Sequence, residues 1–316
     1  MKWHCKDVVL QYWYCFLKNK KYFLITCFKQ IIINKTLLIY SPMIIIALAA
    51  LNEATNLEKI IVEFSSEICK LQSDNNKITQ IDLELKQYIP HFIICIDASN
   101  DNSQEIITKL QDTYPITLLP PQNTRGLGLA FGRIFDYFLN NYHKDDILIT
   151  LDADLTHKSA DLPNLMMAVK TKKYDLIIGS RFCKGSKISG FPLFRIFISR
   201  SVAILLKILT FIITKKKSKI NDYTSGYRIY KFGKLQELQS LAIKGKESLI
   251  EEVHFTYTIE ILLKLIRLKA NIYEVGIDYC YNNKIGKSKL NFFNNFIGLI
   301  SLILRFFFVK NKSEGL

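Results

Sequence analysis

The chain of 316 residues is poor in glycine and proline, with 13 and 7, and holds only two tryptophans. With 49% hydrophobic and 22% charged residues, it is excluded from the collagen-like, low-complexity and wholly disordered classes. Its seven cysteines are scattered and form no C-x-x-C, and its five histidines form no H-x-x-x-H. Both absences argue against zinc, and reduced, buried thiols are the expectation. No uninterrupted apolar run reaches the roughly 20 residues a bilayer span needs. The run 37–51 is split by Pro42, 191–214 carries Arg195, Arg200 and Lys207, and 292–309 holds Asn294, Asn295 and Arg305. MKWHC does not lead into an apolar stretch with a small-residue cleavage site, so no secretory signal is expected.

Acidic residues are also short, 28 against 43 Lys plus Arg, which leaves a net charge of +15. An anionic partner follows, whether membrane, phosphorylated substrate or nucleic acid. Arg-rich tracts are absent. The lysines interleave with Phe, Tyr, Leu and Ile, as in FLKNKKYFLITCFKQIIINK (16–35), which suits a membrane surface at least as well as a nucleic acid. Residues 1–40 therefore read as a basic, aromatic N-terminal extension. Residues 291–316 read as a C-terminal apolar or amphipathic segment.

Between these lie apolar runs at 42–51, 91–97, 115–120, 146–154 and 174–182, separated by stretches of helical spacing. One such stretch, 56–72, places Leu57, Ile60, Ile61, Phe64 and Ile68 on one face. Strand–helix alternation of this kind predicts an α/β fold, a mostly parallel central sheet with helices on both faces. Ligands in such sheets bind beyond the carboxyl ends of the strands. The polar turns LNEATN, DASNDNS, DADLTH and GSRF all fall on that edge.

The chemistry is expected there. Asp152 and Asp154 follow a buried strand one residue apart, so both can turn to one ligand. Two hard oxygen donors suit Mg²⁺ or Mn²⁺, which would neutralise a diphosphate leaving group. The same pair also fits helix-capping or loop aspartates. Asp97 and Glu53 end other strands and can accept from a base or ribose, or cap the following helix; Ser99 or Asp101 before SQE resembles an N-cap. Gly126 and Gly128 open a helix and allow close backbone approach, but with Gly132 they read G-x-G-x-x-x-G, off the dinucleotide fingerprint by one. Arg181, Arg228, Lys284, Lys287 and Lys289 could converge on phosphates or be solvated surface charge.

Taken in order, LDADLTH, IGSRF, TSGYR and GKSKL, with ALNEATNL, IDASNDNS and RGLGLAFGRIFDYF, resemble the family-2 glycosyltransferases, and within them the polyprenyl-phosphate transferases of the dolichyl-phosphate mannosyltransferase type. The resemblance covers about 43–290. It implies a GT-A, Rossmann-like nucleotide-diphospho-sugar transferase fold over 41–290, with 191–214 as interfacial helices. It implies a metal site of Asp152 and Asp154 with Thr156 as third contact. Glu53, Asp97, Gly126, Gly128 and Asp152 would hold the nucleotide sugar. Arg181 and Arg228 match family arginines counted with the catalytic set, Glu260 matches the acid of the F-Q-x-E motif, and Arg181, Ser225, Lys284 and Lys289 would meet the acceptor phosphate. The chain departs from the family at Ala49 (usually proline), at Ile96-Asp97-Ala98-Ser99 (usually D-D-G-S), at Lys158 and Ser159 (usually prolines) and at Asn283 (usually arginine).

The activity so implied is inverting, metal-dependent transfer of a hexose, mannose or glucose, from GDP-mannose or UDP-glucose to a polyprenyl phosphate at the cytosolic face of a membrane. The protein would be peripheral or weakly anchored there. Some members of the group use small membrane partner subunits and others their own transmembrane helices, and the resemblance leaves both open. Two rival readings stand beside it. One keeps the fold but uses a saccharide or protein hydroxyl as acceptor, which needs a general base such as Asp161, Glu251 or Glu252. The other is a non-catalytic basic module on membrane or nucleic acid. A nucleic-acid partner is not expected, because strand-end carboxylates repel phosphates unless metal is present.

Overall fold

The chain divides into Met1–Ser41 and Pro42–Leu316. The computed structural model describes residues 42–73, 90–170, 173–244, 249–284 and 292–313. The N-terminal extension, Lys287 and Lys289 lie outside them.

The five expected strands form, as β1 (Ile44–Ala50), β2 (His91–Ile96), β3 (Ile116–Leu119), β4 (Ile147–Asp152) and β5 (Leu176–Ser180). They alternate with α1 (Ala54–Ser73), α2 (Ser103–Leu110), α3 (Leu127–Asn141) and α4 (Leu162–Lys170). Each strand is a continuous apolar run because both of its faces are covered. In β1, Ile45 and Ala47 enter one core with α3, while Ile44, Ile46 and Leu48 enter the other with α1 and α4. The rest of the chain adds β6 (Lys187–Ser189), α5 (Leu193–Thr214), β7 (Arg228–Lys231), α6 (Phe232–Ile243), α7 (Tyr257–Arg267), β8 (Ile272–Gly276), β9 (Asp278–Cys280) and α8 (Phe292–Ser313).

The main sheet has seven strands in the order β3-β2-β1-β4-β7-β5-β8, and β6 pairs with β9 in a separate two-stranded sheet. The seven are mostly parallel; β7 alone is antiparallel to its neighbours β4 and β5. Its placement was not evident from the sequence, where RIYK is too short and too polar at its ends to stand out as a strand. Running backwards, β7 begins at the edge where β4 and β5 end, and so brings residues 222–227 to the carboxyl edge of the sheet.

α8 packs on the core through Leu299, Leu302 and Phe306. Its Arg305 donates to Glu251 and Glu252, and Glu252 in turn accepts from the Thr256 hydroxyl at 2.5 Å. That acidic segment crosses the start of α3 closely: the Gly128 N–H donates to the Val253 carbonyl at 2.9 Å, and a Cβ on Gly128 would stand 1.8 Å from the Glu252 carbonyl oxygen. A methyl group there must move backbone, so Gly128→Ala should destabilise by about 2–4 kcal/mol. At Gly132, one turn on, the nearest atom is 3.9 Å from such a Cβ. Gly132→Ala should instead gain about 0.5–1 kcal/mol from helix propensity. Parallel urea melts of the two variants check the contrast.

Candidate active site

Three consecutive polar turns shape the sheet edge. Asn52 after β1, Ala98 after β2 and Leu155 after β4 all have left-handed backbones, with φ of 53°, 51° and 63°. Each turns the chain sharply off its strand. Ala98 stands where the resembled family has glycine, and φ 51° explains why glycine suits that place.

The turns after β1 and β2 are laced together. Asn52 N–H donates to Ser99 Oγ at 2.9 Å, and Asn100 N–H to Asn52 Oδ1 at 2.7 Å. Asp101 accepts from Ser103 N–H and hydroxyl, and from Ala54 N–H at the start of α1. The N-cap of α2 is Asn102, without a side-chain bond. Asp101, one residue before that position, bonds the first N–H of α2 and also that of the neighbouring helix α1, while Ser99 accepts from Asn52. Glu53 accepts from Asn56 Nδ2 at 2.6 Å. Asp97 accepts from Gln122 N–H at 2.9 Å and from Arg133 Nη1 at 2.8 Å.

Asp152 and Asp154 leave β4 toward a cavity of about 1420 Å³ and both line it. Gly226 permits the approach of Asp152 to the β7 side, since a Cβ there would meet Asp152 Oδ1 at 2.9 Å. Asp152 Oδ2 lies 3.3 Å from His157 Nε2. Asp154 Oδ1 accepts from the Thr156 hydroxyl at 2.6 Å and N–H at 3.2 Å, and Asp154 Oδ2 accepts from Lys284 Nζ. Burial alone would raise the Asp154 pKa, but the Lys284 ammonium and the Thr156 hydroxyl outweigh it and hold the carboxyl below its usual range. Burial likewise works to lower Lys284, and the facing Asp154 carboxylate reverses it, so the lysine is raised. Two carboxylates on one cavity with a cation already drawn to them fit a divalent metal. Among the described residues no group of three or more His, Cys, Asp or Glu is placed to hold a metal ion.

Arg181, at the end of β5, is held by Asp222. Its N–H and Nε donate to Oδ2 at 3.0 and 2.8 Å, and its Nη2 to Oδ1 at 2.7 Å. Asp222 is fully buried and takes further N–H bonds from Thr224 and Ser225. Glu274 accepts from the Asp222 N–H at 2.8 Å and so fixes the loop from behind. Burial would raise the Asp222 pKa, but Arg181 pulls it below the ordinary value. Ser225 lines the cavity, its hydroxyl donating to the Gly179 carbonyl at 2.6 Å.

Of the residues singled out in the sequence, Glu53, Asp97, Gly126, Asp152, Asp154, Arg181, Ser225 and Lys284 share this one cavity. Arg228, Thr156 and Gly128 do not line it. Arg228 is fully buried and donates to the carbonyls of Thr258 and Tyr223 at 2.6 and 2.9 Å, tying α7 to the loop before β7. Thr156, also fully buried, serves Asp154. Gly128 faces the Glu252 backbone. Glu260 is buried, accepts from the N–H groups of Glu251 and Glu252, and pairs with Lys264 at 2.8 Å. Asp161, Glu251 and Glu252, the candidate bases, are absent from the cavity wall. Sequence reasoning missed Asp222, His157 and Glu274. The signal for Asp222 was available: an arginine at the end of a buried strand needs a counter-charge.

The opposite wall is apolar, built from Phe194, Phe197, Ile198, Val202 and Leu205 of α5 and Phe293, Phe296 and Leu299 of α8. Phe194, Phe197, Phe293 and Phe296 are 61–70% exposed, so the cavity opens beside bare hydrocarbon. Among the described residues, α5 alone is long and apolar enough to cross a membrane by length and composition, with 22% of its apolar window buried. The embedded cations that argued against this in the sequence have partners in the protein. Arg195 lies over Tyr281 at 5.5 Å, Arg200 over Phe182 at 5.4 Å, and Lys207 donates to Asn221 Oδ1 at 2.9 Å. Ile204, Ile208 and Phe211 are left exposed.

The mostly parallel α/β sheet with polar turns gathered on its carboxyl edge can be set beside known proteins. The profile of glycosyl transferase family 2 matches residues 76–239, just over half of the chain, and the chain belongs to that family. It is 29% identical over 215 residues to a dolichol-phosphate mannosyltransferase of Pyrococcus furiosus, a match spanning 66% of this chain and 54% of that protein. It is 28% identical over 210 residues to an undecaprenyl-phosphate mannosyltransferase of Micrococcus luteus, covering 66% and 79% of the two chains. Among solved structures, glucosyl-3-phosphoglycerate synthase of Mycobacterium tuberculosis, in complex with Mn²⁺, UDP and glucosyl-3-phosphoglycerate, superposes with a TM-score of 0.50 at 15% identity, over 86% of this chain and 80% of that one. That likeness shows the shared GT-A-like fold.

The Arg181–Asp222 pair yields a test of the site's framework. Asp222→Asn leaves a buried guanidinium without its charge partner, which should cost about 3–5 kcal/mol. Because the Asp222 pKa is lowered on folding, the pair's contribution is present above the unfolded carboxylate value near pH 4 and lost as pH falls through the folded value. The thermal midpoint of the wild type should therefore drop more between pH 5 and pH 3 than that of Asp222→Asn.

Proposed function

We propose that the protein transfers a hexose from a nucleotide-diphosphate sugar to a polyprenyl phosphate at a membrane surface. One observation carries this: a single cavity has the β4 carboxylate pair on one wall and the exposed aromatic faces of α5 and α8 on the other. A polar, diphosphate-bearing donor and an amphiphilic acceptor each find a wall of their own chemistry. The named activities of the Pyrococcus and Micrococcus relatives support the same reading.

Asp152 and Asp154 would hold Mg²⁺ or Mn²⁺, which when bound neutralises charge developing on the departing diphosphate. Glu53 and Asp97 line the donor side, next to Gly126 at the start of α3. An acceptor phosphate oxygen is anionic at neutral pH and needs no base, which accords with Asp161, Glu251 and Glu252 standing off the cavity wall. It attacks the anomeric carbon as the bond to the diphosphate oxygen breaks, the nucleoside diphosphate leaves with the electron pair, and the centre inverts. The protein contributes alignment and charge complementarity. Arg125, Arg195 and Lys284 line the cavity as cations for the phosphates. The prenyl chain would lie along Phe197 and Leu205 of α5 and Phe296 of α8. The exposed apolar face of α5, beside the basic surface expected of a +15 chain, would rest on an anionic leaflet at the cytosolic face.

Transfer is measured with radiolabelled donor sugar and polyprenyl phosphate, counting label in the organic phase. Asp152→Asn and Asp154→Asn, with thermal melts confirming a folded chain, should each lower it by about a hundredfold or more. Wild-type turnover in both removes the carboxylate pair from the mechanism, and label appearing only in the aqueous phase replaces the lipid acceptor by a soluble one. A thermal-shift panel of GDP- and UDP-sugars should give stabilisation by one nucleotide class, dependent on Mn²⁺.

A further inference from the structure

Lys284 lies 130 residues from Asp154 in the chain, yet its ammonium closes on Asp154 Oδ2. The other oxygen, Oδ1, already carries two donors from Thr156, its N–H and its hydroxyl. Oδ2 is therefore the oxygen of Asp154 best placed to meet a metal, and Lys284 holds it. The pair is well shielded, with side chains 16% and 12% exposed. Lys284 also ends the short turn Tyr281–Asn283 and lines the same cavity as Arg195, Ser225 and Asp152.

We infer that Lys284 is a tethered competitor of the divalent cation: it neutralises Asp154 while the metal is absent, and metal entry expels it into the cavity, where the phosphates are its next partners. This rests on the reading of Asp152 and Asp154 as a metal site. An ammonium held on Asp154 Oδ2 repels a divalent cation approaching the same oxygen, so the lysine's occupancy sets the fraction of molecules that take up metal readily. If it holds Asp154 in about nine molecules of ten, apparent metal affinity falls about tenfold. Metal binding then repels the ammonium. One side chain thereby serves the carboxylates before the donor arrives and the phosphates afterwards, and metal loading is coupled to the presentation of a cation to the substrates.

The test is direct Mn²⁺ binding to the full chain without nucleotide, by electron paramagnetic resonance or calorimetry. Lys284→Met should tighten Mn²⁺ binding about tenfold, whereas Lys284→Arg, which keeps the charge, should stay close to wild type. In transfer assays Lys284→Met should reach half-maximal rate at about tenfold lower Mn²⁺ while its KM for polyprenyl phosphate rises. A merely structural lysine would weaken metal binding when removed, not strengthen it. Equal or weaker Mn²⁺ binding in a folded Lys284→Met overturns the inference and leaves the metal site standing; Lys284→Gln repeats the measurement should the methionine variant fail to fold. No Mn²⁺ binding by either wild type or variant overturns the metal site itself. Wild-type transfer that survives chelation and is lost in Lys284→Met also overturns the inference, since the ammonium would then replace the metal permanently.

Discussion

The buried pair of Arg181 and Asp222 is the interaction on which the site's geometry depends. Two opposite charges are withdrawn almost wholly from water, and three hydrogen bonds join them. Such a pair contributes little net stability against a hydrophobic replacement, but it tolerates no loss of either member. Its value here is positional. It locks the end of β5 to the loop that precedes β7, and through that loop sets Ser225 and Gly226 against the cavity. Gly226 in turn lies against Asp152, so the placement of the β4 carboxylate follows from a charge pair two strands away.

Much of the first half of the molecule was legible in the sequence, and for a physical reason. Parallel strands buried on both faces must be continuous apolar runs, and Ile44–Ala50, His91–Ile96 and Ile147–Asp152 are such runs. Polar turns after them had to gather on one edge, and Glu53, Asp97, Asp152 and Asp154 do. What was not legible depended on contacts between distant residues. Arg228 carries a family signature and could have faced the cavity; only the packing of α7 reveals that its guanidinium serves two carbonyls inside the protein. Asp154 and Lys284 could not be paired by spacing. The three cations of α5 count against a membrane span in a linear reading. In the folded chain Tyr281, Phe182 and Asn221 engage them, and Ile204, Ile208 and Phe211 are bare.

The cavity joins two solvents' worth of chemistry. Its sheet-edge wall is carboxylate, guanidinium and ammonium, and its helical wall is phenylalanine and leucine. The two walls come from different parts of the chain, the first from the ends of β1, β2, β4 and β5 with Lys284 after β9, the second from α5 and α8. The α8 part of the helical wall is tied to α7 by electrostatics: Arg305 grips Glu251 and Glu252, whose N–H groups bond Glu260 in α7. Phe293 and Phe296 of α8 are thus steadied by charges that do not themselves line the cavity.

The insertion of β7 between β4 and β5 also bears on how the sheet is built during synthesis. Strands β1 to β4 are complete once residue 152 has emerged and can pair among themselves. The outer edge of β4 then has no partner in its own sheet until residues 228–231 follow, some 75 positions later. β5, made in between, must wait as well, since it joins the sheet through β7. The nascent chain therefore passes through a stage in which half a sheet stands with an unpaired hydrophobic border beside its aspartates, the condition in which unfinished proteins stick to one another and depend on chaperones.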